Sequence, residues 1–387
     1  MPDKHAILSA SGSAKWLHCP PSAREEAEVP DQQTKYTEEG TLAHSICEQK
    51  LRNWKEGHPR KKVKCEDKSM DDYTTEYRDY VIEVFNEEKT KGGTPCLEVE
   101  VQLDLSKWVP EGFGTSDAVV CGEKTLHVID FKYGQGVPVS AENNSQLKLY
   151  AGGVLDIYES LYDFEEVVLH IVQPRTGNYS TWELPVGHLK LWLNKFVKPI
   201  AEEAFNGEGR HNAGPWCRFC KVRYACKTRT RQNLLTARQG QAKPTNQMLP
   251  EEVAALLPEL DDIQKWAKEL QEYALQQALN GTVYDGYKVV EGTSRRKIAD
   301  ELDAMQKLQT AGYKYTDIVQ TKLKTITELE KLTGKKELPK ILGETLLKPQ
   351  GAPTLVPESD KRPPYKTVQQ QADLDTWNEV MKGEADG

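Results

Sequence analysis

The sequence lacks any long apolar run. Nowhere in its 387 residues does a hydrophobic stretch approach the roughly 18 residues that cross a membrane. The opening segment, MPDKHAILSASGSAKWLHCPP, has no extended apolar h-region, so a secretory signal is not expected. A cytoplasmic location, with no membrane partner, is the default. Eight cysteines in so long a chain are too sparse for a small disulfide scaffold. Internal repeats are absent. Acids are missing locally: no Asp or Glu occurs from Gly209 to Lys243, although the whole chain carries a net charge of −8. That basic stretch holds Arg210, Arg218, Lys221, Arg223, Lys227, Arg229, Arg231, Arg238 and Lys243, and it reads as a phosphate-binding surface hidden in an acidic total.

What is present suggests a polar, soluble chain of about two domains. Helical periodicity runs from about Thr37 to Trp54 and from Asp72 to Lys89. Alternation then takes over in Leu97–Leu103, and Thr115–Cys121 and Thr125–Lys132 read as a second and a third strand joined by a tight link at Gly122-Glu123-Lys124. Residues 142–158 read as a helix, Val167–Val172 and Tyr179–Leu184 as strands, and Leu189–Phe205 as a helix. Gln232 to Gln247 is polar and reads as a linker. A long helix follows over Leu249–Leu279, then a short hairpin at Val283–Glu291 and helices near Ala299–Thr310 and Ile326–Leu332. The tail from Lys348 is expected to be mobile.

Two constellations carry chemistry. Asp117 and Asp130 should sit on neighbouring strands, with Lys132 two residues beyond Asp130 and therefore on its face. Paired carboxylates in one dry site call for a cation between them, and hard oxygen ligands point to Mg²⁺ or Mn²⁺. Lys132 could orient an attacking water, hold it as incipient hydroxide, or stabilise charge on a scissile phosphate. An isolated Asp-x-Lys is usually an ordinary salt bridge; here Gly114-Thr115-Ser116-Asp117 precedes it, and Glu100 lies on the strand before that. The second constellation is Cys217, Cys220 and Cys226 with the distant Cys19. Together these resemble four ligands of one centre. Zinc would use Cys19 or His211 as its fourth ligand, a [4Fe–4S] cluster takes four cysteines, and spacing does not separate them. Cys47, Cys65, Cys96 and Cys121 are scattered and read as structural.

Gly114–Asp117, then Ile129-Asp130-Phe131-Lys132, then Gln146-Leu147-Lys148-Leu149-Tyr150, preceded by Gly40–His44, resemble the PD-(D/E)xK nuclease superfamily in its RecB-like branch. The cysteine layout resembles the iron–sulfur members, including AddB-type and CRISPR-associated RecB-like nucleases. As a whole the chain is similar to a family found in phage and prophage replication modules. The resemblance implies an α/β fold, a restriction-endonuclease-like core with a mixed central sheet flanked by helices. It implies His44, Asp117 and Asp130 as metal ligands with the Phe131 carbonyl, Lys132 as the catalytic lysine, and Glu100 as a further acid, with Glu98 its rival. Gln146 and Tyr150 would face the active site or the DNA strand. The cysteine centre would be iron–sulfur rather than zinc, joining the two ends of a nuclease domain over residues 1–231. A linker (232–248), a mainly helical region (249–347) and the tail (348–387) would follow.

The function so implied is metal-dependent DNA hydrolysis, by an exonuclease at DNA ends more than by an endonuclease, in phage recombination or replication. Arg218, Lys221, Arg223, Tyr224 and Trp216 are the candidates for contacting DNA. A phage replication or recombination protein would meet the C-terminal region. The rival reading is a catalytically silent DNA-binding subunit.

Overall fold

Five strands form the centre: β1 (Cys96–Asp104), β2 (Phe113–Cys121), β3 (Thr125–Phe131), β4 (Glu166–Gln173) and β5 (Asn178–Pro185). They lie side by side in chain order. All neighbours are antiparallel except β3 and β4, which are parallel. A parallel pair needs a crossover, and a helix supplies it here. The computed structural model describes residues 6–30, 35–136, 138–239, 245–290, 301–311, 314–315, 326–334 and 337–343.

The helices of the first part are α1 (Ser13–Trp16), α2 (Ser22–Ala27), α3 (Lys35–Lys55), α4 (Lys68–Thr90), the crossover α5 (Ser145–Tyr158), α6 (Val186–Trp192), α7 (Lys198–Asn206), α8 (Lys227–Gln239) and α9 (Pro250–Leu279). Helix α4 starts four residues before its apolar stripe suggests. The Asp67 carboxylate caps it, accepting from the amides of Ser69 and Met70. Asn144 caps α5 in the same way through Leu147. The helix expected over Leu189–Phe205 is interrupted by a widened turn at Leu193–Val197, just before Pro199. Proline has no amide to give the preceding turn, which accommodates a π-type register there.

Strand alternation sorts the core into two layers. On one face Leu97, Val99, Ala118, Val120, Ile129 and Phe131 pack with Ala43, Ile46 and Leu51 of α3 and Tyr77 and Val81 of α4. On the other, Val119, Cys121, Leu126 and Val128 pack with Leu147, Leu149 and Val154 of α5 and with residues of α6 and α7. Each such buried aliphatic side chain contributes roughly 1.5–3 kcal/mol. Asp117 and Asp130 fall on the α5 face by the same alternation.

Three expectations are corrected. Gln232–Gln239 is helix, not linker: it completes α8, whose inward residues are polar and so leave no apolar periodicity to read. Helix α9 belongs with the sheet in one compact unit, Met1–Val290, rather than with a C-terminal region. No strand forms over 283–290, so the hairpin is absent there. The second unit, Glu291–Gly387, contains helices α10 (Glu301–Thr310), α11 (Ile326–Thr333) and α12 (Leu338–Leu342). The tail over 348–387 lies outside the described residues. Among the described residues no helix is long and apolar enough to cross a membrane.

Candidate active site

The site lies where the strands part. The β1–β2 ladder bonds Val99 to Ala118 and Val101 to Ser116 but skips the position between, where Glu100 stands opposite Asp117. Glu100 has φ 51°, a left-handed conformation that a non-glycine residue holds at a cost of about 1–3 kcal/mol. The β2–β3 ladder ends at Ala118 and Ile129. Beyond it the Asp117 carboxylate enters the gap, its Oδ2 accepting from the Phe131 amide at 2.7 Å. Its Oδ1 lies 3.2 Å from His44 Nδ1 on α3. Ligand atoms of His44, Glu100 and Asp117 all fall within 4.8 Å of one another.

Asp130 is 4% exposed and sits beside that group. Its Oδ1 accepts from Gln146 Nε2 at 3.2 Å, and its Oδ2 is 2.9 Å from Lys132 Nζ. The latter is an ion pair, and the Lys132 ammonium is the one cation facing that buried oxygen among the described residues. Lys132 Nζ donates to Gln146 Oε1 at 3.2 Å. Gln146 Nε2 also donates to the Tyr150 hydroxyl at 3.1 Å. One amide on α5 thus fixes the acid, the lysine and the phenol. The glycine of Gly114-x-x-Asp117 has a steric reason. A Cβ at Gly114 would stand 2.6 Å from the Tyr150 ring.

The electrostatics are those of an acid surplus. Burial and the neighbouring Asp117 push the Glu100 carboxyl up to about 7. Burial likewise raises Asp130; Lys132 opposes this and Asp117 adds to it. Burial works against charge on His44 and Lys132, but the carboxylates outweigh it and raise both. Glu98, the rival of Glu100, is 2.9 Å from Lys55 and accepts from Cys96, away from this group. The Phe131 side chain is fully buried in the core and meets His44 edge-on at 5.3 Å.

The cysteine-bearing segments also meet. Lys15 donates to the Phe219 carbonyl, Glu26 accepts from the Lys221 amide, His211 pairs with Glu25, and the His18 ring stacks on Trp216. Cys19, Cys217 and Cys220 are buried and Cys226 is half-buried; none of the four forms a disulfide among the described residues. Burial raises Cys19 and Cys217, and each also senses Cys226. Among the described residues no three of these sulfurs lie within 4.8 Å of one another. A tetrahedral zinc with bonds of about 2.3 Å would need sulfurs about 3.8 Å apart, so the arrangement does not fit a single zinc ion. His211 is engaged by Glu25 rather than turned to the thiols.

The basic stretch is less free than its composition suggests. Arg223 pairs with Glu269 of α9 at 2.7 Å, and Lys221 donates to the Val29 carbonyl. Tyr224 stacks on Tyr273, and Trp216 is taken by His18. Arg218 remains exposed, its guanidinium 5.5 Å from the Phe219 ring. The correction has a simple cause: acids missing within 209–243 arrive from α2 and α9 when the chain folds. Sequence reasoning also missed Arg175, which lies over the Tyr133 ring and pairs with Glu39 on α3. A lone arginine in a strand-to-strand turn carries no signal for that role.

A family model described as "Protein of unknown function (DUF2800)" matches residues 5–363. Among solved structures, one titled "Crystal structure of SSO0001" is similar at 16% identity, covering 58% of this chain and 89% of that one, with a TM-score of 0.28. A score that low carries no argument about fold or function.

Proposed function

The chain belongs to the DUF2800 family, and we propose that it is a divalent-metal-dependent deoxyribonuclease of the PD-(D/E)xK, RecB-like kind. One observation carries the reading. His44, Glu100 and Asp117 converge within 4.8 Å, with the Asp130–Lys132 ion pair beside them. The donor set is hard oxygen plus one imidazole, which suits Mg²⁺ or Mn²⁺. Such an ion would polarise a phosphoryl oxygen and acidify a bound water.

The chain's own residues do the rest. His44, Asp117 and Asp130 would hold the ion, with Glu100 as a further acid and the Phe131 carbonyl as a backbone ligand. Lys132 carries positive charge next to the reacting phosphate or its attacking water. Gln146 positions Lys132 and Asp130 together, and Tyr150 steadies Gln146. Cys19, Cys217, Cys220 and Cys226 are proposed to hold a [4Fe–4S] cluster, on the resemblance of their layout alone. Action at DNA ends, in the cytoplasm, during phage recombination or replication rests on the resemblance of the motifs.

The test uses purified protein, Mn²⁺ and end-labelled single- and double-stranded DNA. Stepwise shortening is expected, with Lys132→Ala slower by about 10²–10³-fold, the usual loss for one electrostatic stabiliser. Binding without cleavage, whatever the metal supplied, would instead identify a silent DNA-binding subunit.

A further inference from the structure

The hairpin of α8 and α9 is built inside out. Helix α8 buries Arg229, Asn233 and Thr236. Arg229 bonds to Asp262 and Glu269 of α9, and Asn233 donates to Asp262. The leucines point elsewhere. Leu234 and Leu235 of α8, and Leu257, Leu260, Leu270 and Leu275 of α9, are all at least 40% exposed. Helix α9 has 30 residues and none of them is buried.

The apolar residues of α9 are patterned. Val253, Leu256 and Ile263, half-buried, and Leu260, Ala267 and Leu270, exposed, recur at alternating intervals of three and four, which lines them along one stripe flanked by the exposed Leu257. At about 100° per residue that stripe lies roughly 120° around the helix from Asp262 and Glu269, the side that meets α8. Long helices draw most of their stability from packing an apolar face, and continuous exposed apolar patches mark interaction sites. Here the face that meets α8 is charged, and the face suited to burial is at most half-covered among the described residues.

Charge indicates what covers it. Helix α8 carries Lys227, Arg229, Arg231 and Arg238 and no acid. Helix α9 carries seven acids against two lysines. Arg229 pairs with two of those acids. Arg231 and Arg238 form no ion pair with α9 among the described residues, and Glu259 and Asp261 are exposed. A patch with leucines on both helices and opposite charge on each is complementary to itself. A two-fold contact is the arrangement that satisfies such a patch and closes.

We propose that the exposed face of the α8–α9 hairpin is a homodimer interface. The leucines of two copies pack into a four-helix arrangement, and Arg231 and Arg238 of each copy cross the acid-rich α9 of the other. The inference is independent of the nuclease reading.

Light scattering on the full chain after size exclusion tests it. At micromolar concentration the expected mass is twice the 43.8 kDa of one chain. Leu257→Asp with Leu260→Asp should weaken association at least tenfold while leaving the circular dichroism spectrum unchanged, since both positions are exposed. Two charge variants sharpen the test. Arg231→Glu with Arg238→Glu, and separately Glu259→Arg with Asp261→Arg, should each favour monomer, and mixing the two should restore a dimer. A single-chain mass for the unaltered protein overturns the proposal, whether or not that monomer then binds anionic vesicles or another protein. So does a dimer indifferent to both the leucine and the charge variants.

Discussion

The polar cluster behind the sheet makes an instructive contrast with the one at its splayed end. Behind the sheet, on the α4 face, Glu88, His127 and His170 are all at most 7% exposed. The Glu88 carboxylate can only accept, so His127 Nε2 donates to it at 3.1 Å. His127 Nδ1 then accepts from His170 Nε2 at 3.0 Å, and His170 Nδ1 accepts from the Tyr80 hydroxyl at 2.9 Å. Lys91 neutralises Glu88 from outside. Every member is satisfied, and although burial opposes it, donors from Lys91 and His127 lower the Glu88 carboxyl. At the splayed end acids are left in surplus: carboxyls are raised, and Glu100 has a left-handed backbone. One cluster is satisfied within the fold; the other holds an acid surplus that the proposed metal would offset.

That contrast can be broken in four ways. The largest effect should come from Glu88→Ala, which strands a buried imidazole pair and opens a gap against Gly122. Breaking a buried charge network of this kind costs about 3–5 kcal/mol, readable as a lower urea midpoint. Next, Mn²⁺ should raise the stability of the native chain by about 2.7 kcal/mol at a hundredfold excess over its dissociation constant, and should do nothing for Asp117→Asn. Equal stabilisation of both proteins would place the ion elsewhere. Third, Gly114→Ala forces a methyl into the Tyr150 ring and should cost about 1–3 kcal/mol, with cleavage falling further than stability predicts. Smallest, Glu100→Gln should stabilise the metal-free chain by about 1 kcal/mol at pH 8, after allowance for its partial exposure, while lowering activity.

The two clusters also bend the pH profile of stability in opposite senses. Glu100 titrates higher in the folded chain, at about 7, so the folded state holds its proton longer and stability falls as pH rises from about 4.5 towards 7. Burial, then the neighbouring His127, lowers His170 to about 3, so the unfolded chain takes up its proton first and stability falls as pH drops below about 6.5. Chemical denaturation of the metal-free protein across pH 4–8 checks both limbs. Glu100→Gln should flatten the alkaline one and leave the acid one intact.

Much of the sheet is legible in the sequence because β1 alternates apolar and polar residues and the inner strands, buried on both faces, are short apolar runs. The order of Gly114, Asp117, Asp130, Lys132 and Gln146 is legible for a related reason. All five come from one short stretch of adjoining strands and the helix that follows. His44 and Glu100 are harder, since reaching the site depends on the tilt of α3 and on one strained backbone angle, neither of which leaves a local pattern. Helix α8 was hidden by polar packing. The basic stretch misleads because ion pairing is settled by Asp262 and Glu269, far away in the chain. The cysteine spacing is plain, but it holds no information on how far apart the sulfurs come to rest.

The contacts of α1 and α2 set a timetable for the growing chain. His18 waits for Trp216, Lys15 for Phe219 and Glu26 for Lys221. These helices therefore cannot finish packing until residues some 200 positions further along the chain have been translated. The sheet between them has every strand available sooner. Nascent chains stalled before residue 216 should hold a formed sheet with an undocked leading segment open to proteases, and those extended past 226 should protect it.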